Sequence, residues 1–191
     1  MKNTTHKNIR KILSIALCLC LVMSYVPLMS LTALGADVVV YINENGDSTT
    51  YTGAYTEVTS ELTTWSNGWY VVKGDVTVAK RITVSGTVNL ILADGAQLTA
   101  NEGICVNQGN TFIVYAQSED KATMGKLTST GTDYNAGIGG NKGNDNGTVI
   151  INGGIINITG GKFAAGIGGG QAGHGGIVTI NGGILTVNAG R

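Results

Sequence analysis

Proline is almost missing from this chain, with one in 191 residues, and cysteine is scarce, with three. Thirty glycines with so little proline and no G-X-Y period exclude collagen. Acid and base balance to a formal net charge of zero, so there is no polycationic footprint and no nucleic-acid partner is expected. Charged residues make up only 13% and aromatics 6%. A hydrophobic content of 42% still excludes a wholly disordered chain.

The first 36 residues read as an export segment rather than as fold. Lys2, Lys7, Arg10 and Lys11 form a basic start. An uncharged apolar run follows from Ile12 to Met29, then the small residues Ala33-Leu34-Gly35-Ala36. This is the three-part pattern of a secretory signal peptide. Cys18 and Cys20 follow Leu17 and Leu19, not the small residue that a lipoprotein site needs. Removing the segment leaves eight basic and twelve acidic residues, a net charge of −4. Cys105 is then the lone thiol, so an exported chain would carry no internal disulfide.

What the remainder does have is a repeat. A-G-I-G-G occurs at 136–140 and again at 165–169. I-N-G-G occurs at 151–154 and at 180–183, the same offset of 29. Residues 147–161 align without gaps on 176–190. A fainter copy lies upstream. Gly103-Ile104 precedes Gly137-Ile138 and Gly166-Ile167, and the apolar runs 88–92, 112–114, 149–151 and 178–180 precede Gly95, Gly125, Gly154 and Gly183. The longer middle copy carries Ser118-Glu119-Asp120-Lys121, where a surface loop should bulge.

These runs are too short and too broken by Gly for helices, and Val, Ile and Thr favour strands. Gly and Asn supply the tight bends. A unit of short strands cannot bury its own apolar face; stacking the next unit does so and pairs every strand in parallel. The expectation is an all-β parallel β-helix (β-solenoid) of about five or six coils, rising about 4.8 Å per coil. Asn152 with Asn181, and Ile138 with Ile167, should stack on successive coils. Residues 37–70 hold Tyr41, Tyr51, Tyr55, Trp65, Trp69 and Tyr70 and are expected to form an N-terminal cap, with a helical turn between Glu57 and Thr64. Repeats fill 71–191 and stop as a unit finishes, which reads as a truncated C-terminus.

The pattern A-G-I-G-G then G-T-V-x-I-N-G-G, with W-Y-V-V-K-G-D-V-T-V and R-I-T-V-S-G-T-V-N-L-I-L upstream, resembles the glycine-rich repeats of secreted bacterial surface proteins. These are described as carbohydrate-binding-domain proteins of the pectate-lyase-like β-helix type. The resemblance covers roughly Trp69 to Gly190. It implies a right-handed coil, an extracellular role and a polysaccharide or glycan partner. Cell-wall association would come through the missing C-terminal part.

Three function classes follow. The first is a non-catalytic, carbohydrate-binding or adhesive solenoid. Aromatic rings stack on pyranose faces, which makes Trp65, Trp69 and Tyr70 the candidate ligand-binding residues; buried, they would instead plug the first coil. The second is a polysaccharide lyase or hydrolase. Acid–base cleavage of a glycoside needs two carboxyls at a set separation. Here the acids are scattered, and Asp133 and Asp145 give way to Lys162 and His174 one repeat on. The third is a structural stalk. No catalytic residue and no cofactor are expected. A calcium turn at Gly143-Asn144-Asp145-Asn146-Gly147 is a weak alternative, since its counterpart 171–175 lacks Asp. The A-G-I-G-G runs lack the Lys-Ser/Thr and the strand–helix setting of a phosphate loop. The secreted form should begin at Ala36 or Asp37; N-terminal sequencing that found Met1 intact would reject the export reading.

Overall fold

The computed structural model describes residues 38–191. The expected export segment 1–36 lies outside the described residues.

The chain opens with an antiparallel hairpin, β1 (Val39–Ile42) and β2 (Ser48–Tyr51). Coiling begins with two short strands, β3 (Thr56–Glu57) and β4 (Thr64–Trp65). Next come β5 (Gly68–Val72), β6 (Asp75–Val78) and β7 (Ile82–Val84), then β8 (Thr87–Leu92), β9 (Gln97–Ala100) and β10 (Ile104–Cys105). The long coil holds β11 (Thr111–Ala116), β12 (Lys126–Thr130) and β13 (Ile138–Gly139). Then follow β14 (Thr148–Ile151), β15 (Ile155–Thr159) and β16 (Ile167–Gly168), and last β17 (Ile177–Ile180) and β18 (Ile184–Asn188).

From β4 onward every third strand pairs in parallel, and β3 pairs β5, giving three sheets in the orders β17-β14-β11-β8-β5-β3, β18-β15-β12-β9-β6 and β16-β13-β10-β7-β4. This is a three-sided parallel β-helix. The coil begins at Thr56, within the segment 37–70 that the sequence sets apart. No helical turn forms between Glu57 and Thr64. A single turn closed by Leu62 N donating to Thr59 O stands there, because Val58 and Trp65 are drawn into the core on either side.

The register carries out the repeat. Val88, Phe112, Val149 and Val178 share one vertical line; Ile82, Ile104, Ile138 and Ile167 share another. Successive coils advance by 29 residues where the sequence repeats most clearly, as in Thr148 to Ile177. The long coil advances by 37, from Thr111 to Thr148, and its extra length includes a loop over 117–125. One stacked position differs from expectation. Gly125, Gly154 and Gly183 line up on Ala96, not Gly95, because Lys126 N bonds to Ala96 O just as Ile155 N bonds to Gly125 O.

Strand alternation sends every second side chain inward. Leu90, Phe112, Leu98, Ile104, Leu127 and Ile138 are fully buried in the lumen. The two A-G-I-G-G runs carry β13 and β16 with the bends on either side of them, where backbones nearly touch. A Cβ at Gly137 would sit 2.5 Å from Ile158 Cγ2 and 2.6 Å from the Thr159 carbonyl oxygen. Gly139 and Gly168 hold φ of 137° and 141°, open to glycine and rarely to other residues. At the facing corner, Asn181 Nδ2 donates to Asn152 Oδ1 at 2.7 Å, the expected amide ladder.

Arg81 pins one corner across three coils. Its guanidinium donates to Glu102 O (2.7 Å), Ala136 O (3.0 Å) and Gly139 O (3.2 Å), and its Nε to Asn141 Oδ1 (2.7 Å). Burial lowers its pKa from the ordinary arginine value, opposed by Cys105 and Glu102. Arg81→Ala should lower unfolding stability by about 2–4 kcal/mol, because several partly buried acceptors lose their donor together. Denaturant melts would show it, and Arg81→Lys should recover little, since one ammonium cannot span the fork. A loss under about 0.5 kcal/mol would mean that water replaces these bonds.

Candidate functional site

The three aromatic residues singled out from the sequence do not share a surface. Trp65 is fully buried, stacked on Tyr70 at 5.3 Å and tilted against Phe112 at 6.0 Å. Its Nε1 donates to Leu62 O, and the Tyr70 hydroxyl bonds both ways with the Ser66 backbone. With their polar ends satisfied and their rings in the lumen, Trp65 and Tyr70 offer no face to a ligand.

Trp69, the next residue along β5, points the other way. It joins Val71, Ile91 and Tyr115 on the outer face of the six-stranded sheet, beneath the hairpin. Tyr51 stacks on it at 4.4 Å, and Tyr41 and Tyr115 flank it at 5.2 and 5.5 Å. The Trp69 ring is therefore taken up in fastening β1–β2 to the coil. Burial there, with Tyr41 and Glu44 adding to it, pushes the Tyr115 phenol up to about 12.

A different aromatic pair faces outward. Tyr134 and Phe163 lie on successive coils, 29 residues apart, with rings 12° from parallel and centroids 6.5 Å apart. Phe163 is 60% exposed. Its backbone φ is 56°, a left-handed conformation that is a genuine outlier for a bulky residue and costs about 1–3 kcal/mol. The turn is closed by Ala164 N donating to Gly161 O, as Asn135 N donates to Thr132 O one coil earlier. Lys142 Nζ sits 4.5 Å from the Tyr134 centroid and Lys162 Nζ 5.2 Å from that of Phe163. Beside the pair opens a cleft of about 870 Å³, lined by Asp133, Tyr134, Thr159, Lys162, Asn188 and Arg191 among others. The residue-for-residue alignment at offset 29 that exposes the I-N-G-G repeat also places Tyr134 on Phe163, and was the signal available for this pair.

The chemistry near the other candidates is limited. Asp133 is the one acidic side chain lining the cleft, so the cleft has no pair of acidic side chains. Arg81, the only arginine of 37–191 before Arg191, has its guanidinium fully engaged by carbonyl oxygens. Among the described residues no group of three or more His, Cys, Asp or Glu could hold a metal ion. Asp145, in the weak calcium turn, is instead bonded to His174 on the next coil. The His174 backbone N–H donates to Asp145 Oδ1 at 2.8 Å, and Nδ1 lies 2.9 Å from the same oxygen.

Searches for a matching family model, for similar curated proteins and for similar solved structures found no match.

The Asp145–His174 contact has a definite pH consequence. The His174 backbone N–H, then its ring, hold the Asp145 pKa below the ordinary 3.8. The contact favours the folded state above that ordinary value and is lost as pH falls through the depressed one. Carboxyl NMR titration should place Asp145 below 3.8. In His174→Ala most of the shift should persist, because the backbone donor remains; a return to the ordinary value would assign the effect to the ring alone.

Proposed function

We propose that this is a secreted or cell-surface, non-catalytic β-solenoid that binds carbohydrate through the exposed Phe163 ring and the half-buried Tyr134 beside it. The reading rests above all on Phe163. A large apolar ring held on the surface in a left-handed turn is a cost to folding that glycine or asparagine would avoid. Such strain is retained where the side chain has work to do, and two near-parallel rings on a rigid scaffold suit the apolar faces of consecutive pyranoses. The adjoining cleft supplies hydroxyl, amide and charged groups to orient a sugar.

The signal-peptide pattern of residues 1–36 and the resemblance of the repeats to bacterial surface proteins support export. Trp65 and Val58, buried at the first, incomplete coil, support an N-terminal cap. The single acidic side chain of the cleft, Asp133, favours binding over hydrolysis.

The test uses residues 37–191, run by affinity electrophoresis in gels containing plant or bacterial polysaccharides, with the mixtures assayed for new reducing ends and unsaturated products. Retardation without products is the expected result. Phe163→Gly should leave stability equal or higher by about 1 kcal/mol, since it relieves the backbone, while lowering affinity about tenfold. Products would establish an enzyme. Retardation that survives Phe163→Gly with Tyr134→Ala would remove this site from the reading.

A further inference from the structure

We infer that a second site, beside the loop over 117–125, binds a free apolar α-amino acid as its zwitterion. It shares no residue with the Tyr134–Phe163 cleft and does not rest on the carbohydrate reading.

The loop belongs to the long coil, which advances by 37 residues where its successor advances by 29. The added length is pinned rather than slack. Asp94 N donates to Gln117 Oε1 at 2.9 Å, and Ser118 Oγ donates to Asp94 Oδ1 at 2.8 Å. Ala122 N and Met124 N both donate to Asp120, and Gly95 N donates to Thr123 O. Met124 is buried, and its Sδ accepts the Gly154 N–H at 3.1 Å, which ties the loop to the following coil. The neighbouring corner is bare, because Ala116, Gly153 and Gly183 bring at most a methyl group to it. A cavity of about 280 Å³ stays open there.

Three polar groups at this cavity are left unmet. Asn152 is 6% exposed; its Oδ1 accepts from Asn181, but its Nδ2 bonds to nothing among the described residues. A nearly buried amide donor in that state is a cost to folding that a bound acceptor removes. Glu119 and Lys121 line the same cavity, two residues apart and opposite in charge. Among the described residues neither side chain makes an ion pair or a hydrogen bond, with the other or elsewhere.

These groups set the ligand. Lys121 and the Asn152 amide suit a carboxylate, and Glu119 suits an ammonium group. Ile42, Ala116 and Met124 supply an apolar wall. A simple carboxylate leaves Glu119 unmet, a simple amine leaves Lys121 unmet, and a neutral sugar meets neither charge. An α-amino acid carries both charges on one carbon, with its side chain free to lie on the wall. The volume falls just under the ordinary range for small-molecule sites and suits one amino acid rather than a peptide.

Isothermal titration of residues 37–191 with L-leucine should give a Kd of about 100 μM. N-acetyl-leucine lacks the ammonium charge and leucinamide lacks the carboxylate, and each should bind about tenfold weaker. Glycine, without the apolar side chain, should also bind about tenfold weaker. Lys121→Gln should weaken leucine about tenfold and leave leucinamide unchanged. Glu119→Gln should weaken leucine to the same degree and leave N-acetyl-leucine unchanged. Both side chains are exposed, so thermal melts of the variants should match the parent.

No heat and no movement of the Asn152 amide NMR signals at about 5 mM leucine would overturn the inference. So would equal affinity for leucine and its two capped forms, or leucine binding that survives both substitutions together. Polysaccharide binding should be untouched by either substitution, so the carbohydrate reading and this one fail separately.

Discussion

One distance governs this molecule, the spacing of about 4.8 Å between parallel strands. Each coil must settle on the one below at that height on all three sides and at all three corners. Flat strands do this without difficulty. Corners do not, because a turning backbone brings carbonyls and Cβ positions into collision. The A-G-I-G-G runs answer that constraint: at Gly137 a single methyl group would meet both a side chain and a carbonyl of β15, one coil on. Polar groups caught in the corners must then find partners along the stack. The Asn152–Asn181 amide pair and the Arg81 fork bond across coils for that reason.

The same constraint explains how much of the architecture could be read beforehand. The runs at 88–92, 112–114, 149–151 and 178–180 were legible because an inward position in a tight stack accepts little besides Val, Ile, Leu or Phe. The first coil was hidden, because β3 and β4 are two residues long and carry Thr, Glu and Trp instead of a β-branched run. The offset of Gly95 from its expected place has a similar origin. Register is set by hydrogen bonds between coils, and four residues rather than three join β8 to β9.

The site was less legible than the fold, and the reason lies in strand geometry. Trp69 and Tyr70 are neighbours in one strand, and neighbours face opposite ways. Nearness in sequence therefore separates them in space, one under the hairpin and one in the lumen. Residues 29 positions apart do the reverse. Tyr134 and Phe163 meet because they hold the same place in successive coils. In a solenoid, a surface is composed by reading down the repeat, not along the chain.

That rule gives the 29-residue unit a significance beyond packing. Duplicating or deleting one such unit changes the height of the molecule by a single step and leaves every other coil in register. A turn that carries an aromatic ring would be copied along with its scaffold, so a row of rings could grow or shrink one member at a time. Grip on a long polymer would then be adjusted by valency, through the number of weak contacts made at once, with no individual contact redesigned.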